Sequence, residues 1–157
     1  MATYISHSPA DTQALGETWG LAAESGLVIG LCGDLGAGKT ELVKGLARGL
    51  SVPARVHSPT FALVNVYTGG RLTLFHLDLY RLDTREQIRA AGLEEYLRPA
   101  GVAVIEWADR WFGELHQGQR LEDTGQRSAP KAFGVRWVQF ETLSETERRI
   151  QYEDIGA

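Results

Sequence analysis

The eight residues Gly33-Asp34-Leu35-Gly36-Ala37-Gly38-Lys39-Thr40 hold the densest chemistry in this sequence. Their spacing, G-x-x-x-x-G-K-[ST], is that of a phosphate-binding loop. Glycines let successive backbone N–H groups turn inward onto phosphate oxygens. A helix starting near Lys39 adds its N-terminal dipole and unpaired amides. Lys39 is then a point charge for the β- and γ-phosphates of a nucleotide, and the Thr40 hydroxyl is a ligand for Mg²⁺. Asp34 reads as a support for the loop backbone. The plainer alternative is a glycine-rich turn before a helix, but ordinary composition gives a chance match odds of roughly one in a hundred.

Such a loop needs a carboxylate near Thr40 to complete the metal shell and steer an attacking water. In open α/β sheets, ligands sit beyond the carboxyl ends of parallel strands. Two acids end apolar runs: Glu106 follows Gly-Val-Ala-Val-Ile, and Asp78 follows Leu-Thr-Leu-Phe-His-Leu. Each could also be a helix cap or a solvated turn residue. His76 shares a side with Asp78 by strand alternation and reads as structural, as lone histidines usually do. Thr60, in His57-Ser58-Pro59-Thr60-Phe61, lies where several P-loop switch proteins keep a threonine that senses Mg²⁺ and γ-phosphate. The alternative there is a simple strand lead-in. Guanine-reading switches commonly carry Asn-Lys-x-Asp. No such segment exists here, so ATP is favoured over GTP.

The elements that must hold these residues follow from pattern. A strand is expected near Thr3–Ser6, then a helix capped by Ser8 with Pro9 in its first turn, stopped by Gly26. Leu27–Cys32 has the length of a strand covered on both faces, and a helix runs from Lys39 to Gly49. Phe61–Tyr67 and Leu72–Asp78 form a hairpin, with the Gly69-Gly70 pair permitting a tight reversal. Thr84–Ala91 and Leu93–Arg98 are short helical pieces, Gly101–Ile105 is a buried strand, and Val135–Phe140 and Arg149–Tyr152 are closing strands. Residues 108–133 are polar and poorly patterned, an irregular insertion. The fold class is α/β: a P-loop NTPase-like mixed sheet flanked by helices, with an antiparallel hairpin after the P-loop helix. Residues 1–157 form one such domain.

Composition agrees. At 157 residues and 43% hydrophobic content, the chain can bury a sizeable core. Charged residues make up 23%, which argues against wholesale disorder. A formal charge of −4 argues against a free-standing nucleic-acid binder, while leaving room for a complex whose other subunits hold the nucleic acid. The single cysteine, Cys32, fits a reducing compartment. No apolar run approaches a membrane span, and no Lys or Arg precedes Lys39, as a secretory signal would need. A cytoplasmic protein is expected.

GDLGAGKT at Gly33–Thr40, SPTF at Ser58–Phe61, LVNVY at Leu63–Tyr67, HLDLYRL at His76–Leu82 and IEW at Ile105–Trp107 follow one another in that order. Together they resemble the bacterial TsaE family, also called the YjeE family, from about Thr12 to Trp107. The resemblance implies a small ATPase needed to form N6-threonylcarbamoyladenosine at position 37 of tRNAs that read codons beginning with A. Its partners would be the TsaD transferase and TsaB, with tRNA reached through that complex. ATP and Mg²⁺ would be its ligands. Carried over, Gly33 to Thr40 bind nucleotide, and Thr40, Glu106 and Asp78 serve the metal. Lys39, Asp78, Glu106 and the switch threonine Thr60 serve hydrolysis. Trp107 lies beside the nucleotide, and Pro9 and Thr12 mark the segment near adenine. After Asp109 the chain departs from the family pattern. Glu147-Arg148-Arg149-Ile150 stands in place of a Gly-Arg-x-apolar turn, leaving open which arginine, if either, approaches the nucleotide. Two other readings compete, a P-loop small-molecule kinase with Arg81, Arg85 and Arg89 as a basic lid, and a GTP-type binding switch.

Overall fold

The computed structural model describes residues 1–34, 36–56, 63–123 and 131–156. Its strands are β1 (Ala2–Ser6), β2 (Val28–Cys32), β3 (Val64–Tyr67), β4 (Leu74–Asp78), β5 (Val102–Glu106), β6 (Glu122–Asp123), β7 (Lys131–Ala132), β8 (Gly134–Thr142) and β9 (Arg148–Gly156). Its α-helices are α1 (Pro9–Ala22), α2 (Lys39–Gly49), α3 (Arg85–Ala90) and α4 (Asp109–Phe112), with a 3-10 helix at Leu93–Leu97. Seven strands make one mixed sheet in the order β1-β9-β8-β2-β5-β4-β3. The four central strands β8, β2, β5 and β4 are parallel, and the flanking pairings are antiparallel. This is the α/β architecture expected, with the antiparallel β3–β4 hairpin following α2.

Strand alternation sorts the core into two layers. Ile29, Leu31, Val102, Val104 and Leu74 join Leu15, Trp19, Leu42, Val43 and Leu46 of α1 and α2 on one face. Val28, Leu77 and Ile105 join Ile88, Leu93, Leu97 and Trp137 on the other. Both faces of β2 and β5 are fully buried, which is why their sequences are unbroken apolar runs. Residues 124–130 of the insertion expected at 108–133 lie outside the described residues, and the rest is tied down more firmly than its polar sequence implies. It contains α4 and the β6–β7 pair, and Leu115, Leu121 and Phe133 are buried in the second layer. The hairpin turn is also longer than the tight reversal expected, because β3 closes on β4 at Tyr67 and Leu74. Arg71 N–H donates to the Leu50 carbonyl at 2.7 Å, docking the connection on the end of α2.

Helix α2 is set against α1 by glycines. Gly16 and Gly20 of α1 lie on the Leu42 and Leu46 carbonyls, and Gly45 and Gly49 of α2 lie on the Gln13 and Glu17 carbonyls. A Cβ at any of the four would overlap backbone atoms, which no rotamer change relieves. Gly45→Ala should gain about 1 kcal/mol of helix propensity and lose more, because the helices must separate and unpack Leu42 and Leu46 from Leu15 and Trp19. The expected net loss is about 2 kcal/mol, seen as a fall in Tm of roughly 4–8 °C in a circular-dichroism melt. An unchanged Tm would mean that the helices part without cost.

Candidate functional site

The carboxyl ends of β2, β5 and β4 lie side by side at one edge of the sheet. The loop after β2 begins at Gly33, with φ of 138°, where a Cβ would press against Phe140 of β8. Gly38, at φ 97°, caps α2 in the left-handed region, with open space where a Cβ would stand. Only glycine suits both demands at Gly33, conformational and steric. The turn then delivers Lys39 and Thr40 as the first two residues of α2. This is the strand–loop–helix setting that phosphate binding requires. Leu35 lies outside the described residues, as does Thr60 in segment 57–62.

Lys39 is buried, 5% exposed. Its Nζ donates to the Gly33 carbonyl at 2.5 Å and sits 3.6 Å from the centre of the Trp107 ring. Burial lowers the pKa of this ammonium, against the opposing pull of Glu106 and Asp78. The lysine is thus held inside the loop, within the field of both acids. Trp107 follows β5 with φ of 61°, in the left-handed region that costs a non-glycine residue about 1–3 kcal/mol. Its ring is 5.2 Å from that of Tyr80, and the Arg110 guanidinium is 5.3 Å from it. Arg110 also donates to the Tyr80 and Leu82 carbonyls at 2.7 and 3.1 Å, pinning the loop after β4 to α4.

Asp78 and Glu106 are register partners on the adjacent parallel strands β4 and β5. Alternation puts them, with His76, on the α2 side of the sheet, since Leu74 and Val104 face that layer. Glu106 is 4% exposed and His76 fully buried, with His76 Nε2 2.5 Å from Glu106 Oε2. Asp78 accepts the Tyr80 N–H at 3.0 Å. Burial raises the Asp78 carboxyl above its ordinary range, a shift the neighbouring Glu106 reinforces and the Tyr80 bond opposes. Among the described residues no group of three or more His, Cys, Asp or Glu gathers to hold a metal. The Thr40 hydroxyl and the two carboxylates are nonetheless oxygen donors of the kind Mg²⁺ takes. That ion takes oxygen ligands and is commonly held by one or two carboxylates plus substrate phosphates, not a dedicated protein cage.

The chain is similar to known proteins in sequence and in fold. The family model described as "Threonylcarbamoyl adenosine biosynthesis protein TsaE" matches residues 6–131. The chain belongs to the TsaE family. A Treponema pallidum relative named "tRNA threonylcarbamoyladenosine biosynthesis protein TsaE" is 47% identical over 111 residues, covering 71% of this chain and 82% of that one. A Bacillus subtilis relative of the same name is 42% identical over 115 residues, covering 73% of this chain and 71% of that one. The crystal structure of Bacillus subtilis YdiB superposes with a TM-score of 0.73 over 99% of this chain and 86% of that chain, at 29% identity.

In this TsaE-family chain, Lys39, Trp107, Glu106 and Asp78 converge on one edge, as the sequence led one to expect. Pro9 begins α1, and the buried Thr12 hydroxyl lies 2.7 Å from the Ser6 hydroxyl, fixing the β1–α1 turn. The choice between the two late arginines is resolved for contact with the loop. Arg148 Nη2 donates to the Gly36 carbonyl at 3.2 Å, while its Nη1 binds the Ser144 and Glu147 carbonyls at 2.7 and 2.9 Å. Arg149 instead pairs with Glu141 at 2.6 Å. Arg148→Ala should therefore weaken ATP binding by about 5-fold, as expected for roughly 1 kcal/mol from one partly exposed charged bond. Arg149→Ala should leave binding unchanged. Calorimetric titration of both variants checks this, and equal effects would remove Arg148 from the site. The pairing of His76 with Glu106 and the Tyr80–Trp107–Arg110 layer went unread in the sequence. The only signal for the first was alternation, which put His76 and Asp78 on one side but did not give the strand neighbour. Among the described residues, no helix is long and apolar enough to cross a membrane.

Proposed function

We propose that this protein is a cytoplasmic ATPase subunit required for N6-threonylcarbamoyladenosine formation at position 37 of tRNAs reading ANN codons. It acts with the TsaD–TsaB transferase complex and meets tRNA through that complex. The observation that carries the reading is the convergence of a glycine loop, a buried lysine at a helix head and two carboxylates at the ends of adjacent parallel strands. The names of the relatives supply the pathway.

The reaction is ATP plus water giving ADP and phosphate. Loop amides and the α2 N-terminus bind the phosphates, and Lys39 counters the negative charge near the β/γ bridge. Thr40 and Glu106, with Asp78 beside them, offer oxygen ligands to Mg²⁺. When bound, that ion neutralises charge on the transferred phosphoryl group. Asp78, half-buried and hydrogen-bonded to the Tyr80 amide, orients the attacking water. Thr60 senses the γ-phosphate from the segment after α2. The acidic balance of the chain suits a subunit whose partners hold the tRNA.

Two of the three arginines of the kinase alternative's lid are engaged elsewhere. Arg89 pairs with Glu94 at 3.7 Å. Arg85 packs beside Gly113, and α3 is anchored through Ile88 in the core layer opposite α2. The test is reconstitution of tRNA modification with TsaD, TsaB and a threonylcarbamoyl-adenylate source, with and without this chain, while ADP and free phosphate are followed. Multiple-turnover modification should require the chain and ATP hydrolysis. A phosphorylated metabolite, or modification indifferent to the chain, would overturn the reading.

A further inference from the structure

His76 is a buried polar side chain whose hydrogen bonds are incompletely satisfied. It is 0% exposed, and its Nδ1 is buried with no hydrogen-bond partner among the described residues. Leaving a buried polar atom unpaired costs about 1–3 kcal/mol, and an apolar residue would fill the space without that cost. Among the described residues its ring makes one hydrogen bond, to Glu106 Oε2. A carboxylate has no proton to give, so Nε2–H is the donor. The bond runs diagonally across the sheet. His76 is in register with Val104, and Glu106 lies two residues further along β5, beside Asp78. One oxygen of Glu106 is thereby tied to the floor of the site. Glu106 is also the acid whose charge acts most strongly on Lys39.

We propose that His76 is a positioning residue, whose Nε2–H fixes the Glu106 carboxylate so that its other oxygen is presented to the phosphate edge in one orientation. Partners of this kind set ligand geometry, and their loss typically costs roughly 10- to 100-fold in metal affinity or activity. The inference deepens the ATPase reading and rests on it. A histidine present for stability alone would affect folding without affecting the response to Mg²⁺.

The experiment uses the full chain and two substitutions. His76→Leu keeps bulk but removes the donor. His76→Gln can bring an amide N–H close to the position of Nε2. ATP affinity is measured calorimetrically with Mg²⁺ and with EDTA, next to thermal melts and turnover with TsaD and TsaB. In EDTA both variants should bind ATP like wild type. With Mg²⁺, His76→Leu should lose 10-fold or more of the gain in affinity that the metal brings, and the same order in turnover. His76→Gln should recover most of both. A folded His76→Leu variant with the wild-type Mg²⁺ response overturns the inference alone. Wild-type protein whose ATP binding ignores Mg²⁺ overturns the ATPase reading and the inference together. Should His76→Leu fail to fold, long-range proton–nitrogen NMR of the wild-type imidazole still decides. A protonated Nε2 supports the pairing, and a bare Nε2 overturns it.

Discussion

Lys39→Ala is expected to abolish ATP hydrolysis and to weaken ATP binding about 100-fold, while the protein stays folded. The ammonium sits at the head of α2, 2.5 Å from the Gly33 carbonyl, the one cationic side chain that the motif itself supplies. Two charge-assisted bonds to phosphate are worth roughly 3 kcal/mol together, which is about two decades in Kd. The fold should tolerate the change. Burial already lowers the pKa of this lysine, so removing the charge relieves a desolvation penalty. That relief offsets the lost contacts with Gly33 and the Trp107 ring. Calorimetry for affinity, phosphate release for turnover and circular dichroism for the fold check the three parts. A folded variant with wild-type affinity would show that the loop does not bind phosphate.

The phosphate loop was legible because its chemistry is local. Eight consecutive residues set both the backbone conformation and the charge, and φ values of 138° at Gly33 and 97° at Gly38 are what that spacing requires. The central strands were legible for a similar reason, since a strand buried on both faces must be continuously apolar. What the sequence hid depends on neighbours far along the chain. Gly16, Gly20, Gly45 and Gly49 look like weak points in helices until α1 and α2 are seen in contact through them. The left-handed Trp107 is held by Lys39, Tyr80 and Arg110, which come from three other elements or loops. Strand β9 extends to Gly156, well past the Tyr152 expected. It pairs along its length with β8 while only Ile150 and Ile155 are buried, too sparse a pattern to read. The bond from His76 to Glu106 required knowing that β4 and β5 are parallel neighbours in one particular register.

Glu106 should matter for turnover more than for nucleotide affinity, and two substitutions separate its chemical role from its structural one. Glu106→Ala removes the charge and also strands His76 Nε2, a fully buried donor, without an acceptor. That adds a stability cost of about 1–3 kcal/mol. Glu106→Gln removes the charge but keeps a carbonyl oxygen that can still accept from His76, so its melt should stay close to wild type. Both variants should retain ATP binding through the loop amides and Lys39. Both should lose roughly 10²-fold or more in rate, a few kcal/mol of transition-state stabilisation, because neither offers a carboxylate to metal or water. The discriminating measurement is the rate of Glu106→Gln at saturating Mg²⁺ and ATP. A near-normal rate would transfer the metal role to Asp78, the register partner whose carboxyl is itself raised by burial. If instead Glu106→Gln is slow, stable and nucleotide-bound, while Glu106→Ala is slow and less stable, the two jobs of this side chain are resolved. One oxygen is held by His76, and the negative charge of the group does the work at the phosphate edge.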